Sequence, residues 1–282
     1  MPTLSTTEIK AIAKLLKSQD EITTKLMEEQ LKTFDNRLLR EIDKEISPSD
    51  IELKNYFLNL VFNTKREQLK NDFLKWSTNG TNLQEGVFLI ALFDNPLMDT
   101  EYYSNLITKW TNTLGNTLKE ITSTDKSTSI INEINHFMFM EIGLKGNKES
   151  YYDPRNSFID KVLERKLGNP ILLSVTYLLI TNKLGLPFRG VNMPAHFLVQ
   201  YADGYDPIFV DPFNQGEIIT RAACQDRIRA LKLVWQEDYL SCPTNKQIIA
   251  RIMQNLINVY TQEEKFELKE YLESYVNVLK KV

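Results

Sequence analysis

Through roughly the first 120 positions, apolar residues return every three or four residues, the spacing that gathers them on one face of a helix. Ile9, Ile12, Leu15 and Leu16 follow a Ser5…Glu8 capping-box pair, so a helix begins there. Asp20 is placed to cap a second, with Ile22, Leu26, Met27 and Phe34 on its inner face. Leu38, Leu39, Ile42 and Ile46 continue that period to a stop at Ser47-Pro48. A further helix from about Ser49 carries Leu53, Tyr56, Phe57, Leu60 and Val61, and Leu69, Phe73, Leu74 and Trp76 predict another. The run G-V-F-L-I-A-L-F (86–93) is apolar almost all round; its helical neighbours and the Asn95-Pro96 stop favour a buried helix over a buried strand. Asp99 caps the last of the series, with Tyr103, Leu106, Ile107, Trp110, Leu114 and Leu118 inside. Helices in series with short loops suggest a stacked bundle or a solenoid-like array, without a fixed-period repeat. This half reads either as a scaffold or as a groove for a partner; the periodic stripes favour the scaffold.

The polar stretch S-T-D-K-S-T-S (123–129) is a boundary by composition. After it, Ile130, Ile134, Phe137, Met138 and Ile142 predict one more helix ending at Gly143. His136 lies beside its apolar face and reads as a structural or half-exposed histidine, since nothing nearby could share a metal. Beyond the loop 143–157 the pattern changes. Asn156 or Ser157 can cap a helix that buries Phe158, Ile159, Val162 and Leu163 and that Gly168 closes. Pro170 opens the next helix, where proline is best tolerated. Leu172, Leu173, Val175, Tyr177, Leu178 and Ile180 make that helix apolar on most faces, hence central. Gly185 and Leu186-Pro187 end it. Segments 188–193, 196–201 and 208–211 follow, the last two read as strands joined by a hairpin-type connection at 202–207. A short strand at 216–220 leads to a helix capped by Thr220 and running to about Leu231. Beyond Pro243-Thr244, Ile248, Ile249, Ile252, Met253, Leu256, Ile257 and Tyr260 mark one amphipathic helix. Leu268, Tyr271, Leu272, Tyr275, Val276 and Leu279 mark a second, and the pair is an αα-hairpin expected to dock on the central domain, with a surface for a partner as the rival reading.

Composition narrows the function classes. Hydrophobic residues make up 42% and charged residues 25%, as in a folded protein. The net charge of −3 is spread out, with no basic stripe, so no nucleic-acid partner is expected. The N-terminus lacks a basic segment leading into an apolar run, and the apolar runs are too short to span a bilayer. A cytoplasmic protein without a membrane partner is expected. With two cysteines and two histidines, neither a disulfide framework nor a zinc site is indicated, and no metal or cofactor is expected.

A central helix on an antiparallel sheet, with a histidine and then an aspartate from successive strands, is the arrangement of papain-like and transglutaminase-like domains. The motifs Y-Y-D-P-R-N-S-F, V-L-E-R-K-L-G-N-P-I-L-L-S, G-V-N-M-P-A-H-F-L-V and F-V-D-P-F-N-Q-G together resemble the SirB-type transglutaminase-core-like family. The resemblance covers residues 130–225 or so, and extends more weakly to G-V-F-L-I-A-L-F-D-N-P before them and R-I-M-Q-N-L (251–256) after them. It implies an α+β fold with a helical N-terminal domain (1–125), a transglutaminase-like core (126–235) and a tetratricopeptide-like helical hairpin (236–282).

In the wider superfamily a cysteine at the start of the central helix is the nucleophile, a histidine accepts its proton and an aspartate orients the imidazole. By resemblance His196 and Asp211 match the last two, and the cysteine position falls on Pro170. Proline supplies neither a nucleophile nor the backbone N–H that often serves as an oxyanion donor. Ser174, one turn later on the same face, is a weak substitute, since a serine in an apolar helix more often bonds back to the preceding turn. The His196–Asp211 pair keeps two readings: a polar pair in a cleft that holds a peptide or amide ligand, or a hydrogen-bonded pair joining two strands. Asp153, Arg155, Asn156 and Asn169 belong near the mouth of that cleft, or serve as turn and capping residues. The leading expectation is a non-catalytic binding or regulatory protein with a protein or peptide partner. The rival is a hydrolase or acyl transferase of unusual mechanism using His196 and Asp211.

Overall fold

The structure, a computed structural model, describes residues 5–18, 20–122, 125–204 and 206–281. The first two positions of the polar stretch 123–129 and Tyr205 of the 202–207 connection lie outside the described residues.

Seven helices come first: α1 (Thr6–Leu15), α2 (Glu21–Leu31), α3 (Asn36–Glu45), α4 (Ile51–Thr78), α5 (Leu83–Asp94), α6 (Thr100–Leu118) and α7 (Lys126–Asn135). Each starts on a side chain that accepts a first-turn N–H: Ser5, Asp20, Asp35, Asp50, Asn82, Asp99 and Asp125. Those bonds satisfy donors that a helix cannot pair internally. The Ser5–Glu8 capping box forms as expected, and the apolar run 86–93 is helical.

Three expectations change. The period from Asp20 to Ile46 is two helices, not one, because Asp35 takes the N–H of Leu38 at 2.8 Å and restarts the helix. The two helices expected over 49–76 are one 28-residue rod, α4, since no glycine or proline interrupts residues 51–78. Its two apolar stretches serve different cores. Leu53, Phe57, Leu60 and Val61 join a cluster with Leu16, Leu31, Leu39 and Ile42, whereas Leu69, Phe73 and Trp76 enter the main core. Third, Leu15, Ile22 and Leu26 point to solvent. The buried stripe of α2 is narrow, Met27 and Leu31, because α2 packs mainly on α4.

After α7 the chain widens into a π-helical segment, His136–Glu141, and Gly143 turns away at φ +83°. His136 is largely exposed, 3.7 Å from Glu141. Then come β1 (Lys145–Gly146), α8 (Ile159–Arg165), β2 (Leu167–Gly168), α9 (Pro170–Lys183), β3 (Phe188–Val191), β4 (Leu198–Tyr201), β5 (Ile208–Asp211), β6 (Glu217–Ile219), α10 (Arg221–Ala230), α11 (Asn245–Gln262) and α12 (Phe266–Lys281). Lys166, left-handed at φ +61°, ends α8 in place of Gly168, which pairs with Gly146 in a short parallel bridge.

Strands β3 to β6 form an antiparallel meander in chain order, with Val199 opposite Val210 and Gln200 opposite Phe209. Helix α9 packs on β3 and β4 and is flanked by α6, α8 and α11. Every residue from Pro170 to Thr181 is buried, as an all-round apolar helix requires. The class is α+β, with a small sheet in a largely helical molecule. Helices α11 and α12 pack on each other and on α5 and α4, and their apolar faces enter the core that α9 occupies.

Gly86 on α5 marks a close approach of helices: a Cβ there would stand 2.8 Å from both Ile249 of α11 and Trp76 of α4. Gly86→Val is therefore expected to cost about 1–3 kcal/mol by overpacking. A urea midpoint unchanged from wild type would show that these helices do not meet as described.

Candidate functional site

The residues singled out in the sequence lie in the loop before α9, at its start, before β4 and at the end of β5. Asn169 caps α9, its Oδ1 accepting the N–H of Leu172 at 3.0 Å while its Nδ2 donates to Ser157 Oγ at 2.8 Å. Pro170 follows as the first helical residue; having no N–H, it leaves no donor unmet there. Asn156 is wholly buried. It does not cap α8, whose N-cap is Phe158 with no side-chain bond. Instead its Nδ2 donates to the carbonyls of Ser150 (2.8 Å) and Tyr151 (3.2 Å), and its Oδ1 accepts from Asn147. Asn156 and Asn169 thus hold turns with their amides. Asp153 caps the single turn 154–157 and grips Arg155 at 2.8 Å and Arg165 at 3.1 Å. Burial raises the Asp153 pKa, but the bonds from Arg155 and the charge of Arg165 outweigh it and hold the carboxyl below its ordinary value.

His196 and Asp211 come together. Strands β4 and β5 are neighbours, and Asp211 is the last residue of β5. His196 precedes β4 rather than lying on a strand as expected, in a tight turn where its N–H donates to Met193 O at 3.1 Å. Ala195 in that turn has φ +56°, a left-handed conformation that costs a non-glycine residue free energy and that the surrounding contacts must hold. His196 Nε2 and Asp211 Oδ1 are 2.9 Å apart.

Asp211 is completely buried. Its Oδ2 accepts from Arg227 Nη1 at 2.7 Å and Asn214 Nδ2 at 2.9 Å, and its Oδ1 from the N–H groups of Phe213 and Asn214. Burial alone raises its pKa; the bond to His196, the imidazole charge, and the bonds from Arg227 and Asn214 outweigh that and keep it ionised far below the usual carboxylate range. An ionised carboxylate only accepts, so Nε2 carries the proton, and Nδ1 is the basic nitrogen of the neutral ring. Among the described residues Nδ1 has no hydrogen-bond partner, and the side chain is 16% exposed. The ring meets Phe213 edge-on at 6.1 Å, and Phe213 meets Tyr151 the same way at 5.9 Å.

The turn from Asp211 to Gly216 needs its glycine. Gly216 has φ +78°, its N–H closes on Asp211 O at 2.9 Å, and a Cβ would stand 2.3 Å from the Asn135 side chain. Asn135 Nδ2 in turn donates to Gly216 O at 2.8 Å.

Ser174 neither faces solvent nor bonds back along its helix: fully buried, its Oγ donates to Phe197 O at 3.1 Å and ties α9 to the residue after His196. Cys224 is buried among Val191, Met193, Leu198 and Ile228, and burial raises its thiol pKa. Cys242 is exposed and takes a bond from Gln200 Nε2. Among the described residues no group of three His, Cys, Asp or Glu could hold a metal ion, and no helix is long and apolar enough to cross a membrane.

Two residues of the site escaped the sequence reading. Arg227 shares the inward face of α10 with Cys224 and Ile228, and Arg251 lies beside the buried stripe Ile248, Ile252 of α11. A cation set into an apolar stripe was the available signal in both.

Residues 104–254 match the family model described as the transglutaminase-like superfamily. The chain belongs to that superfamily. A protein of Xylella fastidiosa (strain 9a5c) named UPF0162 protein is 31% identical over 66% of this chain and 67% of its own length. A UPF0162 protein of Vibrio cholerae is 34% identical over 46% of this chain and 49% of its own. F-box only protein 21 of Mus musculus is 26% identical over 61% of this chain but only 32% of its own length. No solved structure matches. The match spans α9, the meander and most of α11, so the His196–Asp211 geometry lies inside the transglutaminase-like domain.

Because the folded pKa of Asp211 lies below its ordinary value of 3.8, its stabilisation is fully present above that pH and is lost as pH falls through the folded value. Asp211→Asn should lower unfolding free energy near pH 7 by about 3–5 kcal/mol, the cost of breaking a buried pair. The gap from wild type should narrow below pH 3.8; urea unfolding at stepped pH checks this, and a gap independent of pH would contradict it.

Proposed function

We propose that this transglutaminase-like protein, of the SirB-type branch that its motifs resemble, is non-catalytic and works as a binding or regulatory module through protein contacts. One observation carries the reading: the first residue of α9 is Pro170, where the superfamily pattern has its thiol. Covalent chemistry there needs a nucleophile whose proton His196 can take. The two thiols of the chain stand in other roles, Cys224 in a core and Cys242 on the surface, and the Ser174 hydroxyl is engaged by Phe197 O. What the site retains is an oriented imidazole with a free acceptor nitrogen, beside aromatic side chains. Those are features that hold a peptide or amide-bearing partner by hydrogen bonds. The likeness to a protein three times longer than the shared segment, F-box only protein 21, is in keeping with a domain that works alongside other parts.

A rival reading, a hydrolase or acyl transferase of unusual mechanism, draws on the same imidazole. With Nε2 fixed on Asp211 and Nδ1 unengaged, His196 has the arrangement of a general base, and the reacting nucleophile would then be water.

The two readings separate on turnover. Wild type is expected to show neither hydrolysis of peptide amides and esters nor amine transfer to a glutamine-bearing peptide. A turnover that His196→Ala abolishes in a still-folded protein would replace the binding reading with the enzymatic one. In a Cys242→Ser background, Pro170→Cys should create a thiol alkylated about tenfold faster near pH 7 than an ordinary surface cysteine, as a lowered thiol pKa implies, and His196→Ala should remove the excess. An ordinary rate would mean that residue 170 does not face the imidazole.

A further inference from the structure

Arg251 is half-buried on the inner side of α11 and opens the R-I-M-Q-N-L segment. The other arginines around the site are matched with carboxylates. Arg155 and Arg165 share Asp153, and Arg227 holds Asp211 and Glu217. Arg251 has neutral partners only: Asn192 Oδ1, which accepts from Nη1, and the backbone carbonyl of His196, which accepts from Nη2 at 3.0 Å. Its guanidinium also lies 5.9 Å from the centre of the Phe197 ring. Among the described residues no carboxylate pairs with it, and the ionisable side chain that it faces is the Tyr151 phenol. A partly desolvated cation without a counter-charge is costly to keep.

The cation is still able to bind something. Each terminal nitrogen of a guanidinium carries two hydrogens, and Nε carries one. Asn192 and His196 engage one hydrogen on each terminal nitrogen. Among the described residues Nε has no hydrogen-bond partner, and the side chain is only partly buried. The fork of Nε and a terminal nitrogen fits a planar carboxylate with two parallel bonds. Tyr151, whose phenol faces Arg251, is exposed and packs edge to face on the exposed Tyr152 at 5.3 Å. Tyr151 reaches the imidazole through Phe213.

We propose that Arg251 is the carboxylate-binding residue of the His196 site, and that the partner presents a peptide carboxylate there. This rests on the reading of the site as a binding cleft and names the chemistry it recognises. A carboxylate is favoured over a phosphate because one free guanidinium balances one negative charge. The neighbouring cations offer no second: Arg155 is held by Asp153, and the N-terminus of α9 is closed by the Asn169 cap and by Pro170, which has no N–H.

The test is a nitrogen-15 NMR titration of the full chain, following the Arg251 Nε–H and His196 ring signals at constant ionic strength. The probes are N-acetylglycylglycine, its C-terminal amide, N-acetylaspartyl amide and inorganic phosphate. The expected result is a saturable shift of both signals with a carboxylate probe and not with the neutral amide. Arg251→Gln should weaken that binding about tenfold or more, the loss of a charge-assisted hydrogen bond, and Arg251→Lys should restore part of it. The two carboxylate probes tell a chain terminus from an acidic side chain. Equal shifts with acid and neutral amide would overturn the carboxylate assignment while leaving the cleft reading intact. Saturation by phosphate at lower concentration than by either carboxylate would overturn it as well. Failure of every peptide probe to move the His196 signals would remove both readings. The wild-type Arg251 signal reports directly, so the result stands even if a variant fails to fold.

Discussion

A carboxylate with no access to water must be compensated on every side, and Asp211 sets that requirement for the end of the sheet where β5, α10 and the turn before β4 meet. Its two oxygens draw in the imidazole before β4, the guanidinium of α10, the amide of Asn214 and two backbone N–H groups. Meeting those demands fixes where β5 ends, how the chain turns to Gly216, and how close α10 lies to the meander. Removing one partner would leave charge stranded in a medium that solvates it poorly. The constraint also decides chemistry: an acceptor-only carboxylate dictates which ring nitrogen of His196 is protonated.

The opposite side of the site is governed by apolar burial. α9 can be central because it has no polar face to keep wet, and its polar side chains find partners at once. Ser174 bonds across to Phe197 O, and Thr176 and Thr181 bond to the preceding turn. The helix therefore carries the sheet on one side and helices on the others. The proline at its start has no backbone N–H to leave unmet, and the Asn169 side chain caps the turn that follows.

Much of this was legible in the chain. Helix identities in the first half followed from periodicity, and β4, β5 and the short β6 from apolar runs broken by turn residues, whereas β3, Phe188–Val191, was not read as a strand. The meeting of His196 with Asp211 is what the resemblance to transglutaminase-like domains implied. What escaped had physical reasons. Asp35 reads like any polar residue on a helix face until its carboxylate competes for Leu38 N. α4 looked like two helices because its apolar stripe changes partners midway, from the Phe57 cluster to that of Phe73. Asn156 resembled a cap, but its amide is drawn into the loop at 147–151. Arg227 lies 16 residues from Asp211, and pairing across elements leaves no periodic trace; only its place beside Cys224 and Ile228 hinted at an inward charge.

The long helix α4 has a bearing on how the molecule opens. At 1.5 Å per residue it is about 42 Å long, one hydrogen-bonded ladder with its ends in separate hydrophobic clusters. Its first turns depend on α2 and the small N-terminal cluster; its last turns are clamped by α5 and α12. Transient opening of the first cluster would then propagate along the ladder as fraying and halt near Leu69, where the second set of contacts takes over. The border between the two cooperative units lies in the middle of a helix, where backbone amides a few turns apart would exchange with solvent on different timescales.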